Sequence, residues 1–233
     1  MSSTSMNGPA DGNGSVLPGP RAASSLLTPD NSVLALVDYQ GLMLLAVESH
    51  PLQRIVNNAT GLAKTAKLYG VPTVLTSAGA RGFAGPTFPE LTAVLSDLEG
   101  IDRTTLNPWE DRAFVEAIEA TGRRKLVISG LWTEVCVAFP VLSALEAGYD
   151  AYVVVDACGG VDRETHDAGL QRMAQAGAQL VSWMGVMSEW QRDWTRYEDR
   201  REGLMDLLKA HSGAFGAAAE FEFGITASTA GSS

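Results

Sequence analysis

The sequence predicts an α/β fold in three layers (α-β-α), with an open, mostly parallel sheet covered by helices on both faces. Three observations carry this. Short apolar runs suited to buried strands recur along the chain. Segments of helical period, about ten to eighteen residues long, separate them. Glycine and proline punctuate most of the joins. Such alternation builds βαβ units, whose crossover helices cover the sheet.

The elements follow in order. Ser32–Gln40 (SVLALVDYQ) is an apolar run ending in an acid and reads as a strand buried on both faces. Leu52–Gly70 places Leu52, Ile55, Val56, Ala59, Leu62, Ala63, Ala66 and Leu68 at helical spacing, with Gly70 as the stop. Val71–Gly79 is the second strand. Gly79, Gly82, Gly85, Pro86 and Pro89 mark a loop, and a short helix runs from Pro89 towards Gly100. A weak strand at Gly100–Asp102 leads into a helix over Asn107–Gly122, with Pro108 in its first turn.

Arg124–Gly130 (RKLVISG) is a β-branched strand, followed by a helix from about Glu134 to Ala147. Asp150–Cys158 is the next strand. Asp162 caps a helix that Gly177 ends. Gln179–Trp183 is the last strand, and Val186–Ala210 reads as one helix with a charged outer face.

The ends differ in composition. Met1–Ser25 is rich in Ser, Gly, Pro and Asn, and the chain from Ser212 turns to Gly, Ala, Ser and Thr. Such segments bury too little to offset their ordering entropy. The expected organisation is a disordered segment over 1–28, one domain over 29–211, and a flexible tail over 212–233.

The formal net charge is −10, with no block of Lys or Arg, which argues against a nucleic-acid partner. No apolar run approaches the ~20 residues that span a bilayer, so no membrane partner is expected. No secretory leader is visible, and the two cysteines, Cys136 and Cys158, follow different strands without forming a disulfide framework. The expectation is a cytoplasmic protein.

Sites in open α/β sheets form beyond the carboxyl ends of the strands. That rule selects Asp38, Thr76–Ser77, Arg103, Leu131–Cys136 and Asp156–Cys158. With Thr133 as N-cap, Cys136 is N3, where free N–H groups and the helix dipole stabilise a thiolate or a developing oxyanion. The competing reading is a small apolar residue packed under the turn. Asp38 is either a turn-capping carboxylate or a base for the thiol. Arg103 is either a surface arginine paired with Asp102 or Asp111, or a fixed cation between Asp38 and Cys136. Cys158 and Asp156 read as a buried thiol and a loop anchor, and His166 as part of a solvated helix face.

The segments ALVDYQ, ISGLWTEVCVAFPVLSALEAGYDAYVVVDACGG and RMAQAGAQLVSW resemble the isochorismatase-like cysteine hydrolase family, in particular its YcaC-like branch. The resemblance spans about Ser32–Trp194 and implies a six-stranded, mostly parallel sheet. It implies a triad with Asp38 as the aspartate and Cys136 as the nucleophile, a cis peptide joining Leu131 to Trp132, and an oxyanion hole from the backbone N–H groups of Trp132 and Cys136. The family's triad lysine has no match, and Arg103 occupies its approximate place. The Asp-x-His plus His metal site of the nicotinamidases is also missing, so neither a catalytic metal nor another cofactor is expected.

The reaction expected is hydrolysis of a small amide through a Cys136 thioester. A redox-responsive or inert thiol scaffold is the alternative from another class, and isochorismate-type vinyl ether hydrolysis the alternative within the enzyme class. Phe83 and Trp109 are expected at the substrate pocket, with Trp132 and Phe88 as further aromatic candidates. A homo-oligomer, in the branch an octamer, is expected, with Trp183, Trp190 and Trp194 on the last helix as core or interface.

Overall fold

The computed structural model describes residues 26–82 and 84–230. Six strands form one sheet: β1 (Ser32–Val37), β2 (Thr73–Ala78), β3 (Ile101–Arg103), β4 (Lys125–Gly130), β5 (Asp150–Val154) and β6 (Gln179–Val181). Their order is β3-β2-β1-β4-β5-β6, and every pairing is parallel. The winding reverses between β1 and β4, so the crevice where ligands bind in such sheets opens beyond Val37 and Gly130.

All six residues of β1 are buried, which explains its unbroken apolar run. Side chains alternate across the sheet. Leu34 and Leu36 enter a core with α2 (Leu52–Tyr69), α7 (Trp183–Gln191) and α8 (Arg201–His211). Val33, Ala35 and Val37 enter the opposite core with α4 (Arg112–Ala120), α5 (Ala138–Glu146) and α6 (Arg163–Gln175). Each fully buried Leu, Val or Phe contributes roughly 1.5–3 kcal/mol. Gly70, with a φ of 69°, closes α2.

Several expectations are corrected. A five-residue helix, α1 (Gly41–Leu45), follows β1 where no helix is evident in the sequence. The helix expected over Val186–Ala210 breaks after Gln191. Arg192 and Tyr197 adopt positive φ (62° and 53°), and the Gln191 side chain donates to the carbonyls of Asp193 and Arg196, holding the break. No glycine or proline signals that break in sequence. Trp183 and Trp190 are therefore core residues, whereas Trp194 lies in the loop and is 63 % exposed. Leu27, placed by composition in the N-terminal segment, is fully buried, and its carbonyl accepts from Arg192. Beyond Ser212 the chain is helical, α9 (Ala214–Ala230), because an alanine-rich stretch has high helix propensity even with little to bury. Among the described residues, no helix is long and apolar enough to cross a membrane.

Candidate active site

The site is built at the β1–β4 crossing. Gly130 ends β4 so close to β1 that an added Cβ would lie 2.2 Å from the Val37 carbonyl oxygen. This approach lets Leu131 N–H donate to the Val37 carbonyl (3.0 Å) and carries the two strand ends into one crevice. Asp38 follows at a φ of 54°, unusual for a residue with a side chain and a mark of functional turns. Its N–H donates to Thr76 O (2.9 Å), and its carbonyl accepts from Gln40 N–H (2.7 Å). The turn is thus closed by backbone, which leaves the carboxylate free for another partner.

That partner is Arg103, at the end of β3. Arg103 Nη2 donates to Asp38 Oδ2 at 2.7 Å, and neither side chain is exposed. The alternative pairings with Asp102 or Asp111 are not made: Asp102 accepts from Ala80 N–H and Asp111 caps α4. Asp38 Oδ1 and Arg103 Nε and Nη1 are buried without a hydrogen-bond partner among the described residues.

Cys136 is 3 % exposed and interacts with the same carboxylate. Burial raises the Asp38 carboxyl to about 6, against the opposing pull of the Arg103 cation, the Cys136 thiol and the Ala78 N–H. Burial, then the charge and proximity of Asp38, push the Cys136 thiol up to about 12, with Arg103 and the Trp132 backbone N–H acting the other way. The resting pair is therefore a thiol beside a titratable carboxylate. Burial and the neighbouring Asp38 carboxylate, both raising the thiol, act against the thiolate expected at a helix N-terminus.

The local fold of the turn also differs from that expectation. Residues Thr133–Val137 form a π-helical turn preceding α5, and Trp132, not Thr133, occupies the capping position. π turns occur often at functional sites. Thr133 Oγ1 instead lies 2.8 Å from His166 Nδ1. The Leu131–Trp132 peptide bond is cis. Trp132 is half-buried, and its indole N–H donates to the Met43 carbonyl (3.0 Å), tying the turn to α1.

The structure thus brings Asp38, Arg103, Trp132 and Cys136 together. Trp109 is placed elsewhere: its ring packs edge-on against Phe114 and Tyr149 (centroids 6.1 and 5.3 Å), and Tyr149 precedes β5 at the opposite end of the sheet. Phe88 is buried edge-on against Tyr39, 5.7 Å away. Phe83 lies outside the described residues. Cys158 is fully buried and its thiol pushed up to about 12, as suits a packing residue. Asp156 anchors α7, accepting from Trp183 N–H at 2.8 Å. Among the described residues, no group of three or more His, Cys, Asp or Glu side chains is arranged to hold a metal.

Two residues escaped sequence reasoning. Gln40 is fully buried; its amide donates to the carbonyls of Ala78 and Gly85 and accepts from Ala78 N–H, clamping the chain after β2 beside Asp38. Its place after DY in a strand-end motif is the signal available. His166, read as solvated, is 2 % exposed behind the cysteine turn. Its spacing from Gly169 and Met173 marks a buried face of α6.

Residues 32–184 match the family model of the isochorismatase domain. The chain is 41 % identical over 186 residues to "Probable hydrolase YcaC" of Escherichia coli K12, covering 79 % of this chain and 88 % of that protein. It superposes with a TM-score of 0.82 and 38 % identity on YcaC from Pseudomonas aeruginosa, solved with hexane-2,5-diol and covalent acrylamide, over 87 % of this chain and 99 % of that one. The E. coli YcaC crystal structure, described as an octameric hydrolase of unknown specificity, gives the same TM-score and identity over 88 % and 99 % of the two chains.

Proposed function

The chain belongs to the isochorismatase domain family and resembles YcaC hydrolases, and from that premise we propose that it is a cysteine hydrolase cleaving a small amide through a Cys136 thioester. The observation that carries this is the buried Asp38 carboxyl, raised to about 6, held by Arg103 and acting on the Cys136 thiol. A base titrating near 6 is mostly ionised at neutral pH yet accepts a proton readily.

In the reaction, Asp38 takes the thiol proton and the sulfur adds to the amide carbonyl carbon. The carbonyl electron pair moves to oxygen, and the backbone N–H groups of Trp132 and Cys136 face the oxyanion. Collapse expels the amine, which takes the proton from Asp38 and leaves a thioester. Asp38 then accepts a proton from water as the hydroxyl attacks the thioester. Expulsion of the sulfur, which regains that proton, yields the acid and the free thiol. Arg103 keeps its charge throughout and holds Asp38 in place.

The covalent acrylamide described for the P. aeruginosa relative supports an accessible nucleophile in the fold and makes this small electrophilic amide a suitable probe. An isochorismate-type ether hydrolysis would leave Cys136 without covalent work. The octamer described for the E. coli relative supports self-association of this chain as well. Replacing Cys136 by Ser should abolish turnover of a panel of small amides and leave the thermal transition in place. Undiminished hydrolysis would overturn the mechanism.

A further inference from the structure

The Cys136 turn is held from behind by α6. Thr133 is fully buried, and its N–H donates to Gly159 O at 2.9 Å. Its hydroxyl lies 2.8 Å from His166 Nδ1. One turn along α6, Gly169 lies so close that an added Cβ would stand 2.9 Å from Glu134 Cα and 3.3 Å from Thr133 carbonyl carbon. The His166 ring meets the His50 ring edge-on, centroids 4.8 Å apart. His50 Nδ1 in turn lies 3.0 Å from Ser49 Oγ, which accepts from Gly160 N–H at 2.9 Å. The chain after β1, the turn after β4 and the loop after β5 thus meet on one buried imidazole.

The Thr133 hydroxyl is thus tied to α6 within the π turn, Thr133–Val137, that carries Cys136. From this geometry we propose that His166 is a positioning residue for the nucleophile: through Thr133, with Gly169 as the close-packed contact beside it, it sets the π turn that aims the Cys136 sulfur at Asp38. The proposal rests on the reading of Cys136 as a nucleophile. His166 touches neither substrate nor sulfur. Burial and the neighbouring His50 lower its proton affinity to about 4, so the imidazole stays neutral through the neutral range and the bond to Thr133 persists.

The test is the rate of Cys136 alkylation by acrylamide, followed by peptide mass spectrometry from pH 5 to pH 9. It is run on the full chain and on the His166→Leu, His166→Asn, Thr133→Val and Thr133→Val/His166→Leu variants. The expected result is a fall of about tenfold for His166→Leu and for Thr133→Val, with no further fall in the double variant, because both cut one contact. The pH midpoint of labelling should move in the same variants, and His166→Asn, which can still bond to Thr133, should restore the rate to within about threefold. Thr133→Val changes little volume, so it decides the matter if His166→Leu does not fold. Labelling at the wild-type rate and midpoint in folded Thr133→Val would overturn the proposal. Wild-type protein that is not alkylated at Cys136 would overturn the nucleophile reading itself, and the proposal with it.

Discussion

Asp38 and Arg103 meet in a 2.7 Å ion pair with no exposure on either side, although 65 positions separate them in the chain. The strand order makes the pairing possible. β2 alone lies between β1 and β3, so a long side chain from the end of β3 reaches across to the end of β1. A buried pair of this kind is weak evidence for stability, since desolvation consumes most of the Coulombic gain, and better evidence for a functional arrangement.

Removing the cation should therefore be costly and diagnostic. Arg103→Met leaves Asp38 buried without its opposing charge, and stability should fall by ~3–5 kcal/mol. The carboxyl should also rise above about 6, because Arg103 is the main influence holding it down. Below its new value Asp38 is protonated and cannot act as a base, so the lower limb of the pH–rate profile should move to higher pH. Arg103→Lys keeps a cation and should leave that limb nearly in place. Denaturant titration and a pH profile of thiol reactivity check both.

Gln40→Ala should loosen the chain after β2 rather than the turn that carries Cys136. Three hydrogen bonds to Ala78 and Gly85 are lost, at ~0.5–1.5 kcal/mol each in net terms and more for groups left buried without partners. The expected outcome is a loss of about 2–3 kcal/mol in chemical denaturation with the Cys136 labelling midpoint unchanged.

Gly130→Ala should fail at the fold. A Cβ 2.2 Å from the Val37 oxygen cannot be absorbed by a side-chain shift, because the obstacle is backbone of the neighbouring central strand. Destabilisation beyond about 4 kcal/mol, or insoluble protein, is expected. A soluble variant with an unchanged thermal transition would contradict the β1–β4 geometry.

On the proposal of self-association, sedimentation at micromolar concentration should show a multi-subunit species. Trp194 is a suitable probe, as a 63 % exposed indole beside two residues of positive φ, and Trp194→Asp should shift the species to smaller mass. A monomeric wild-type chain would contradict the proposal.

The alternation of buried strands and amphipathic helices was legible because both periods are written in side-chain polarity, and it led to all six strands. The Asp38 and Cys136 positions were legible through one topological rule: chemistry collects where parallel strands end. Arg103 paired with Asp38, not with its sequence neighbours, since spatial order in a parallel sheet outranks separation along the chain. What could not be read was geometry set by tertiary contact. The π turn at Thr133–Val137 and the contact of the Thr133 hydroxyl with His166, 33 residues away, carry no local signal. The break after Gln191 uses positive φ at Arg192 and Tyr197, residues that carry no turn signal. Trp109, expected at the pocket, packs instead against Phe114 and Tyr149, contacts that its place in the sequence does not reveal.

The central claim is that Asp38 serves as the base for Cys136, and the pH dependence of Cys136 alkylation in wild type and Asp38→Asn tests it most directly. The carboxyl is raised to about 6, so the wild-type rate should climb as pH rises through that value and level off by neutrality, well below the thiol's own titration. Asp38→Asn should lose that climb and label at least about tenfold more slowly at pH 7. A wild-type rate that rises only above pH ~8.5, as for a free thiol, and that Asp38→Asn leaves unchanged, would contradict the account.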